Sequence, residues 1–264
     1  MAYSIAHHGA DAHAPPVIRR IGIADLREAA SRGVDDFLAT PTQLVFLALI
    51  YPVVGLLAAR LAWGGDAFQL IYPLVMGFAL LGPVGAIGLY EISRRREAGE
   101  ATTWLDAAKV LRSPALLSVL ALGVVLLGIF VAWLLVAQAI YDAAFPAMRH
   151  GSPGALLRDV IDTPDGRWMI LVGNGVGLVF AAVVMSISVV AFPMMLDREA
   201  SVGEAVATSV RAVVANPVPM LAWGLVVLGL FVLGCLPLFV GLAVVMPILG
   251  HATWHLYRRL VEAP

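Results

Sequence analysis

The chain has 264 residues, of which 61% are hydrophobic and 13% charged, and its formal net charge is −1. With a mean hydropathy of +0.90, this composition lies far from that of soluble domains and argues against a soluble enzyme or a nucleic-acid-binding domain. It predicts an integral membrane protein that contacts the lipid bilayer.

The N-terminal segment MAYSIAHHGADAHAPP has neither a basic start nor an apolar run, so it does not resemble a signal peptide. Its histidines and prolines follow no apolar period, and residues 1–17 are expected to form a disordered tail. Residues 18–264 are expected to form a single membrane domain.

Six stretches are long and apolar enough to cross the roughly 30 Å hydrocarbon layer of a bilayer as helices. They cover residues 44–63, 68–90, 115–141, 168–196, 218–235 and 238–256. Only Leu236 and Pro237 separate the last two stretches, so a tight helical hairpin is expected there. If the N-terminus is cytoplasmic, all of the 17 Lys and Arg residues except Arg60, Arg149, Arg158 and Arg167 fall in cytoplasmic segments. The positive-inside rule therefore predicts that both termini face the cytoplasm.

Three cytoplasmic segments share one design, in which a capping pair opens an amphipathic stretch that stops at a polar residue followed by proline. The capping pairs are Asp25 with Glu28, Thr103 with Asp106, and Ser201 with Glu204, and the stops are Thr40–Pro41, Ser113–Pro114 and Asn216–Pro217. Each segment is predicted to be a helix in the membrane interface, the first with Leu26, Ala30, Val34 and Phe37 on its apolar face.

Each interfacial helix is followed by two predicted spans, so the unit repeats three times, over residues 24–96, 102–199 and 201–260. The expected fold is an all-α integral membrane protein with six transmembrane helices and three amphipathic interfacial helices, built from three related two-span units. The stretch GHATWHLYRR corresponds to AIGLYEISRR, because Pro247 and Pro83 each stand eleven residues before the first arginine of the pair that ends the stretch. It is predicted to be a helix exit, with Trp254 at headgroup level.

His251 and His255 lie four residues apart and would share one face of a helix. That spacing is typical of imidazoles that bind a metal or a haem, but a metal needs further ligands and the spans contain no other histidine and no carboxylate at depth. Two interpretations remain open, namely a haem or metal site and anchoring at the interface with helix packing. No other cofactor is expected.

The basic residues at the cytoplasmic ends are candidates for contact with a lipid headgroup or a phosphate. They are Arg94, Arg95, Arg96, Lys109, Arg112, Arg258 and Arg259. A role in setting topology alone also explains them, and this is the preferred interpretation. Anionic lipids at the cytoplasmic face are their expected partners.

A solute path is a further hypothesis, because prolines interrupt several spans and Asn174 lies in the segment GNGVG. Its candidate residues are Asn174, Pro83, Pro193 and Pro247. Close helix packing is the alternative, since Gly173 and Gly177 form a small-xxx-small pair. No Asp, Glu, Lys or Arg lies near the middle of a predicted span, which weakens a proton-coupled transporter.

The segments GPVGAIGLYEISRRREAGE, MLDREASVGEAVATSVRAVVANPVPM and GHATWHLYRRLV resemble the signature stretches of a proteobacterial multi-pass membrane family catalogued as domain of unknown function 2189. The resemblance covers residues 18–261. It implies a bacterial inner (plasma) membrane protein and no established activity. Some members carry a label resembling cytochrome c oxidase subunit I, which this chain does not support because such a subunit has six histidine ligands in its transmembrane helices.

Three functional hypotheses follow. The first is a non-enzymatic scaffold or accessory protein that packs against another inner-membrane complex, such as a respiratory one. The second is a transporter or permeation pathway for a small neutral or lipidic molecule. The third is a haem- or metal-binding subunit that uses His251 and His255. No nucleophile with a base, phosphate loop or zinc-ligand spacing occurs in the sequence, so no catalytic residue is expected.

Overall fold

The computed structural model of the protein describes residues 16–42, 45–48, 50–51, 53, 68–146 and 152–262. Within these ranges the structure is helical and contains no sheet, apart from an isolated bridge between Ile18 and Val261. Its α-helices are α1 (Ile23–Ala39), α2 (Ile71–Phe78), α3 (Gly82–Gly85), α4 (Ile87–Glu97), α5 (Leu116–Ala144), α6 (Pro153–Asp162), α7 (Pro164–Ser188), α8 (Ala191–Arg198), α9 (Val202–Ala215), α10 (Pro217–Cys235) and α11 (Leu242–Leu260). Its 3₁₀ segments are Phe68–Leu70, Ala79–Leu81 and Trp104–Arg112.

Four helical stretches among the described residues are long and apolar enough to cross a membrane. They are Ile71–Glu97, Leu116–Ala144, Pro164–Arg198 and Pro217–Cys235, and they correspond to the second to fifth predicted spans. The first predicted span, residues 44–63, lies largely outside the described residues. The sixth forms as α11, but its histidines and terminal arginines keep it out of the candidate set.

The ends of the three predicted interfacial helices agree with the proline stops, because α1, the 104–112 segment and α9 end immediately before Thr40, Ser113 and Asn216. The capping residues agree at Thr103 with Asp106 and at Ser201. The predicted cap at Asp25 is wrong by one turn. Helix α1 starts at Ile23, and the Asp25 carboxylate instead accepts a hydrogen bond from the backbone N–H of Gly22.

Two connections differ from the sequence-based expectation. The turn between α10 and α11 spans residues 236–241, with Leu238 and Phe239 at positive φ, so α11 begins at Leu242 and the hairpin is wider than the predicted two-residue link. Pro237 lacks the backbone N–H that a continuing helix requires, which is one reason for the wider turn. Helix α6, in the predicted external loop, was not expected from the sequence.

Helix α1 packs against α11 so closely that the two backbones are in contact at Gly33 and Ala252. A Cβ atom on Gly33 would lie 2.6 Å from the Cβ atom of Ala252, so only glycine fits this crossing. The buried face of α1 contains Asp36 in addition to Leu26 and Phe37, whereas Val34, which was predicted to be on the apolar face, is exposed. The predicted face is confirmed at Leu26 and Phe37 and is wrong at Val34; it also missed Asp36, because hydrophobicity does not indicate a buried carboxylate.

The two ends of the described chain lie side by side. The backbone N–H of Arg19 donates to the carbonyl of Leu260 at 2.8 Å, and the N–H of Glu262 donates to the carbonyl of Val17 at 3.1 Å. The buried side chain of Asn216 secures the first segment by accepting from the backbone N–H of Ile21 at 2.8 Å. Residues 17–21 and 260–262 are therefore at the same end of the helix bundle.

Candidate functional site

Three helices bring polar side chains together at that end of the bundle, around Asp36 near the end of α1. Ser93 Oγ donates to Asp36 Oδ2 at 2.6 Å, and His255 Nε2 lies 2.9 Å from the same oxygen. Arg96 Nε donates to Asp36 Oδ1 at 2.8 Å. His251 completes the group, with Nδ1 at 2.8 Å from Ser93 Oγ. These five residues are called the Asp36 cluster below.

Four of the five residues of the Asp36 cluster are buried, and Arg96 reaches solvent. Ser93 and His251 are fully buried, and Asp36 and His255 are exposed by 6% and 8%. Burial alone would raise the pKa of Asp36, but hydrogen bonds from His255, Ser93 and Arg96 lower it from 3.8 to about 2. Asp36 is thus a buried, fully hydrogen-bonded carboxylate, which is the arrangement that a buried charge requires.

The arrangement of Ser93, His251 and Asp36 differs from a catalytic triad. Because the only hydroxyl proton of Ser93 goes to Asp36, His251 must donate from Nδ1 to Ser93 and cannot act as the base that activates it. The other ring nitrogen, Nε2, makes no hydrogen bond of normal geometry among the described residues, although the Leu89 backbone lies near the ring.

The two histidines predicted as metal ligands therefore connect helices. Each contributes one ring nitrogen to the Asp36 cluster, and the described residues contain no group of three or more His, Cys, Asp or Glu side chains arranged to hold a metal ion. The haem or metal hypothesis stays a prediction without support from this geometry. His255 is buried, not hydrated at the interface. The Trp254 ring is also fully buried and donates to Glu97, and its position at headgroup level stays a prediction.

Most of the predicted lipid-contact residues pair with carboxylates of the protein. The pairs are Arg94 and Arg95 with Glu91, Arg96 with Asp36, Lys109 with Asp106, Arg258 with Glu97 and Asp197, and Arg259 with Asp25 and Glu28. Arg112 has no such ion pair among the described residues. The pairs of Arg96, Arg258 and Arg259 connect different helices, whereas the other pairs lie within one helical segment. Contact with anionic lipids stays a prediction.

A second feature is a cavity of about 320 Å³ at the centre of the bundle, called the central cavity below. Its walls come from the 72–90 segment, α5, α7, α10 and α11. Of the four predicted solute-path residues, Asn174 and Pro83 line the central cavity, whereas Pro193 and Pro247 are buried outside its lining. Two of the four predicted solute-path residues therefore lie at the central cavity.

Several polar groups in the wall of the central cavity are hydrogen-bonded to the protein, whereas the Tyr90 hydroxyl and the Trp223 indole N–H, which also line it, show no such bond among the described residues. Tyr72 donates its hydroxyl to Asn174 Oδ1 at 2.6 Å, and Trp133 Nε1 donates to the carbonyl of Pro73 at 2.8 Å. Ser188 and Thr253 each donate to a carbonyl one helical turn earlier. No lining residue is charged, so the cavity presents a mainly apolar surface with one hydrogen-bonding pair, Tyr72 and Asn174.

The family model of a predicted integral membrane protein family, DUF2189, matches residues 71–197, which contain three of the four candidate spans. Over this part, which is just under half of the chain, the protein matches the DUF2189 family. This confirms the resemblance recognised in the sequence, and it identifies an integral membrane protein of unknown function. Comparisons with curated proteins and with solved structures give no match.

Sequence reasoning missed the main functional candidates for identifiable reasons. Asp36 appears in the sequence as one of two consecutive aspartates on an amphipathic helix, and its partners lie 57 and 219 residues away along the chain. The only available signal was that a histidine pair in an apolar helix needs a polar partner. Tyr72 and Trp133 carried no signal, since aromatic residues are common in membrane helices.

Proposed function

We propose that this protein is a non-enzymatic bacterial inner-membrane protein that accommodates a small neutral or lipidic molecule, as a transporter or permeation pathway. The observation that carries the proposal is the central cavity, with a volume of about 320 Å³ and a largely apolar wall. Ligand sites in proteins have volumes from roughly 300 to 1,000 Å³ and are mostly apolar with few polar groups. The central cavity fits this description at the lower end of the range.

The position of the central cavity also supports a hydrophobic occupant. Its walls include parts of all four candidate spans, so the molecule that fills it would come from the hydrocarbon layer or pass through it. A charged solute would lack a counter-ion there, because the lining contains none. A neutral or lipidic molecule needs no counter-ion.

The proposed topology has both termini in the cytoplasm. Residues 17–21 and 260–262 lie together, and a chain whose ends are on the same side crosses a membrane an even number of times. Asn216, at the start of α10, is bonded to Ile21 at this same end, so α10 leaves this side and α11 returns to it. The four candidate spans and α11 make five crossings, and a crossing by the 44–63 segment gives six. The basic residues at this end of the bundle favour the cytoplasmic side by the positive-inside rule.

The scaffold hypothesis is the second candidate. Helix α5 exposes large apolar side chains such as Leu117, Val124 and Leu135, and that surface suits a membrane partner as well as lipid. The central cavity distinguishes the two hypotheses, because packing against a partner does not require an internal space within the bundle. The cavity therefore favours the transport hypothesis.

A cavity-filling substitution tests the proposal. Gly173 lines the central cavity and Gly175, two residues along α7, does not, while an added Cβ atom at either position has no heavy atom within 4 Å. The protein is purified in native lipid, and native mass spectrometry measures bound small molecules. We expect the wild type and Gly175→Leu to retain a bound hydrophobic molecule and Gly173→Leu to lose it. A wild type without any such adduct, or equal retention by both variants, would contradict the proposal.

A further inference from the structure

If the proposed function holds, the central cavity also indicates what enters it and from where. We infer that the occupant is a neutral lipid with a single hydrocarbon chain and a hydroxyl or carbonyl head, which enters sideways from the bilayer between α7 and α10 and leaves its head at Tyr72 and Asn174. Three properties of the cavity carry this inference, namely its length, its open side and the chemistry of one end.

The length suits a chain. Lining residues on α7 run from Gly173 to Ser188, which corresponds to about 23 Å at a rise of 1.5 Å per residue. That length is close to the roughly 30 Å thickness of the hydrocarbon layer. A volume of about 320 Å³ spread over this length forms a narrow slot, which fits an extended hydrocarbon chain better than a compact solute.

The open side faces the lipid. Leu178 on α7 and Leu221 and Leu225 on α10 line the central cavity and are nevertheless 55%, 63% and 58% exposed. Both helices are candidate spans, so these side chains belong to the surface that meets the bilayer. The gap between the helices therefore connects the cavity with the hydrocarbon layer.

The two helices approach each other closely at one point of this gap. A Cβ atom on Gly224 of α10 would lie 3.2 Å from the sulfur of Met185 on α7. Methionine has an unbranched, flexible side chain that adapts to irregular spaces. Met185 can therefore swing aside for a chain without movement of the backbone.

The end near Tyr72 and Asn174 suits a neutral oxygen. The Tyr72 hydroxyl proton goes to Asn174 Oδ1, and Asn174 Nδ2 donates one hydrogen to the carbonyl of Ile170. One Asn174 N–H and the lone pairs of the Tyr72 oxygen remain for a ligand. A hydroxyl or carbonyl head can use these groups, whereas a phosphate or carboxylate would find no cation among the lining residues.

Photolabelling of the full chain in lipid nanodiscs tests the class of ligand. Three probes carry the same photoreactive group: a long-chain fatty alcohol, an isoprenoid alcohol, and the alkyl phosphate of the same fatty chain. We expect at least one alcohol to label α7 and α10 at cavity-lining residues at least about tenfold more than the phosphate, and Gly173→Leu to remove this labelling. The two alcohols distinguish an acyl source from an isoprenoid source.

A second pair of variants tests the lateral route. Gly224→Leu adds a side chain where α7 and α10 meet, and Gly229→Leu adds one on α10 where an added Cβ atom has open space and which lies outside the cavity lining. We expect Gly224→Leu to slow alcohol labelling several-fold and Gly229→Leu to leave it unchanged. Equal rates in the two variants would overturn the lateral route.

The outcomes separate this inference from the proposed function. If the phosphate labels the lining residues as strongly as the alcohols, the cavity still takes a lipid and only the neutral head is wrong. If no probe labels them while native mass spectrometry shows an adduct that Gly173→Leu removes, the inferred ligand class is wrong and the proposed function stands. Absence of both signals overturns both.

Discussion

The Asp36 cluster and the central cavity are built from different residues of the same helices, α4 and α11. On α11, Gly250 lines the cavity and the next residue, His251, belongs to the cluster; on α4, Tyr90 and Ser93 divide in the same way. The cluster end is closely packed and its polar groups are hydrogen-bonded except for His251 Nε2, whereas the cavity is an apolar space. Neighbouring residues of the same helix thus serve different surroundings, some fixed by hydrogen bonds and others facing the cavity.

This difference assigns separate roles to the two regions. The buried carboxylate of Asp36 on α1 accepts hydrogen bonds from two side chains of α4 and one of α11. These bonds specify how the three helices meet, because any other arrangement would leave the charge of the carboxylate unpaired. Apolar walls specify far less, since many hydrocarbon shapes satisfy them. We therefore expect substitutions at the Asp36 cluster to affect stability and substitutions at the central cavity to affect binding.

Replacement of Asp36 should give the largest loss of stability. In Asp36→Ala, the buried groups of Ser93, Arg96 and His255 lose their shared acceptor, and we expect the free energy of unfolding to fall by about 3–5 kcal/mol. A denaturant titration in detergent micelles measures the change. Asp35→Ala is the matched control, since Asp35 is exposed on the same helix, and an equal effect of the two substitutions would refute a special role for Asp36.

Acid should weaken the same cluster. The pKa of Asp36 is lowered from 3.8 to about 2 in the folded protein, so its contribution to stability is present above about pH 4 and is lost as the pH falls toward 2. The corresponding free energy is about 2 kcal/mol. We expect the difference in unfolding free energy between the wild type and Asp36→Asn to shrink by about this amount from pH 5 to pH 2. A constant difference over that range would count against a charged Asp36.

Local and long-range features were unequally accessible to sequence reasoning. The helix stops at Thr40, Ser113 and Asn216 were predicted correctly, because a proline restricts the residue before it regardless of the rest of the fold. The Asp36 cluster could not be predicted, since its hydrogen bonds join residues from the two ends and the middle of the chain. For the central cavity, Asn174 and Pro83 were identified, but its shape depends on how five segments pack, which hydrophobic patterns do not specify.

The crossing of α1 and α11 should tolerate no side chain at Gly33. In Gly33→Ala, the new Cβ atom would lie 2.6 Å from both the Cβ and the backbone nitrogen of Ala252, and the backbone cannot move aside as a flexible side chain would. We expect a loss of at least about 1 kcal/mol of unfolding free energy, in spite of the better helix propensity of alanine. Gly203→Ala on α9, where open space surrounds the added atom, is the control and should not destabilise the protein.

A glycine-to-alanine substitution in the wall of the central cavity should change the free energy of unfolding in the opposite direction, and by the smallest amount. In Gly173→Ala, the added Cβ atom has no heavy atom within 4 Å, so the loss of backbone freedom in the unfolded chain is not offset by a clash. We expect the unfolding free energy to rise by about 0.5–1 kcal/mol. Denaturant titrations of Gly173→Ala and Gly33→Ala under the same conditions compare the two changes in unfolding free energy. If Gly173→Ala destabilised the protein as much as Gly33→Ala does, the centre of the bundle would be as closely packed as the Asp36 end, and a cavity able to hold a lipid chain could not exist there.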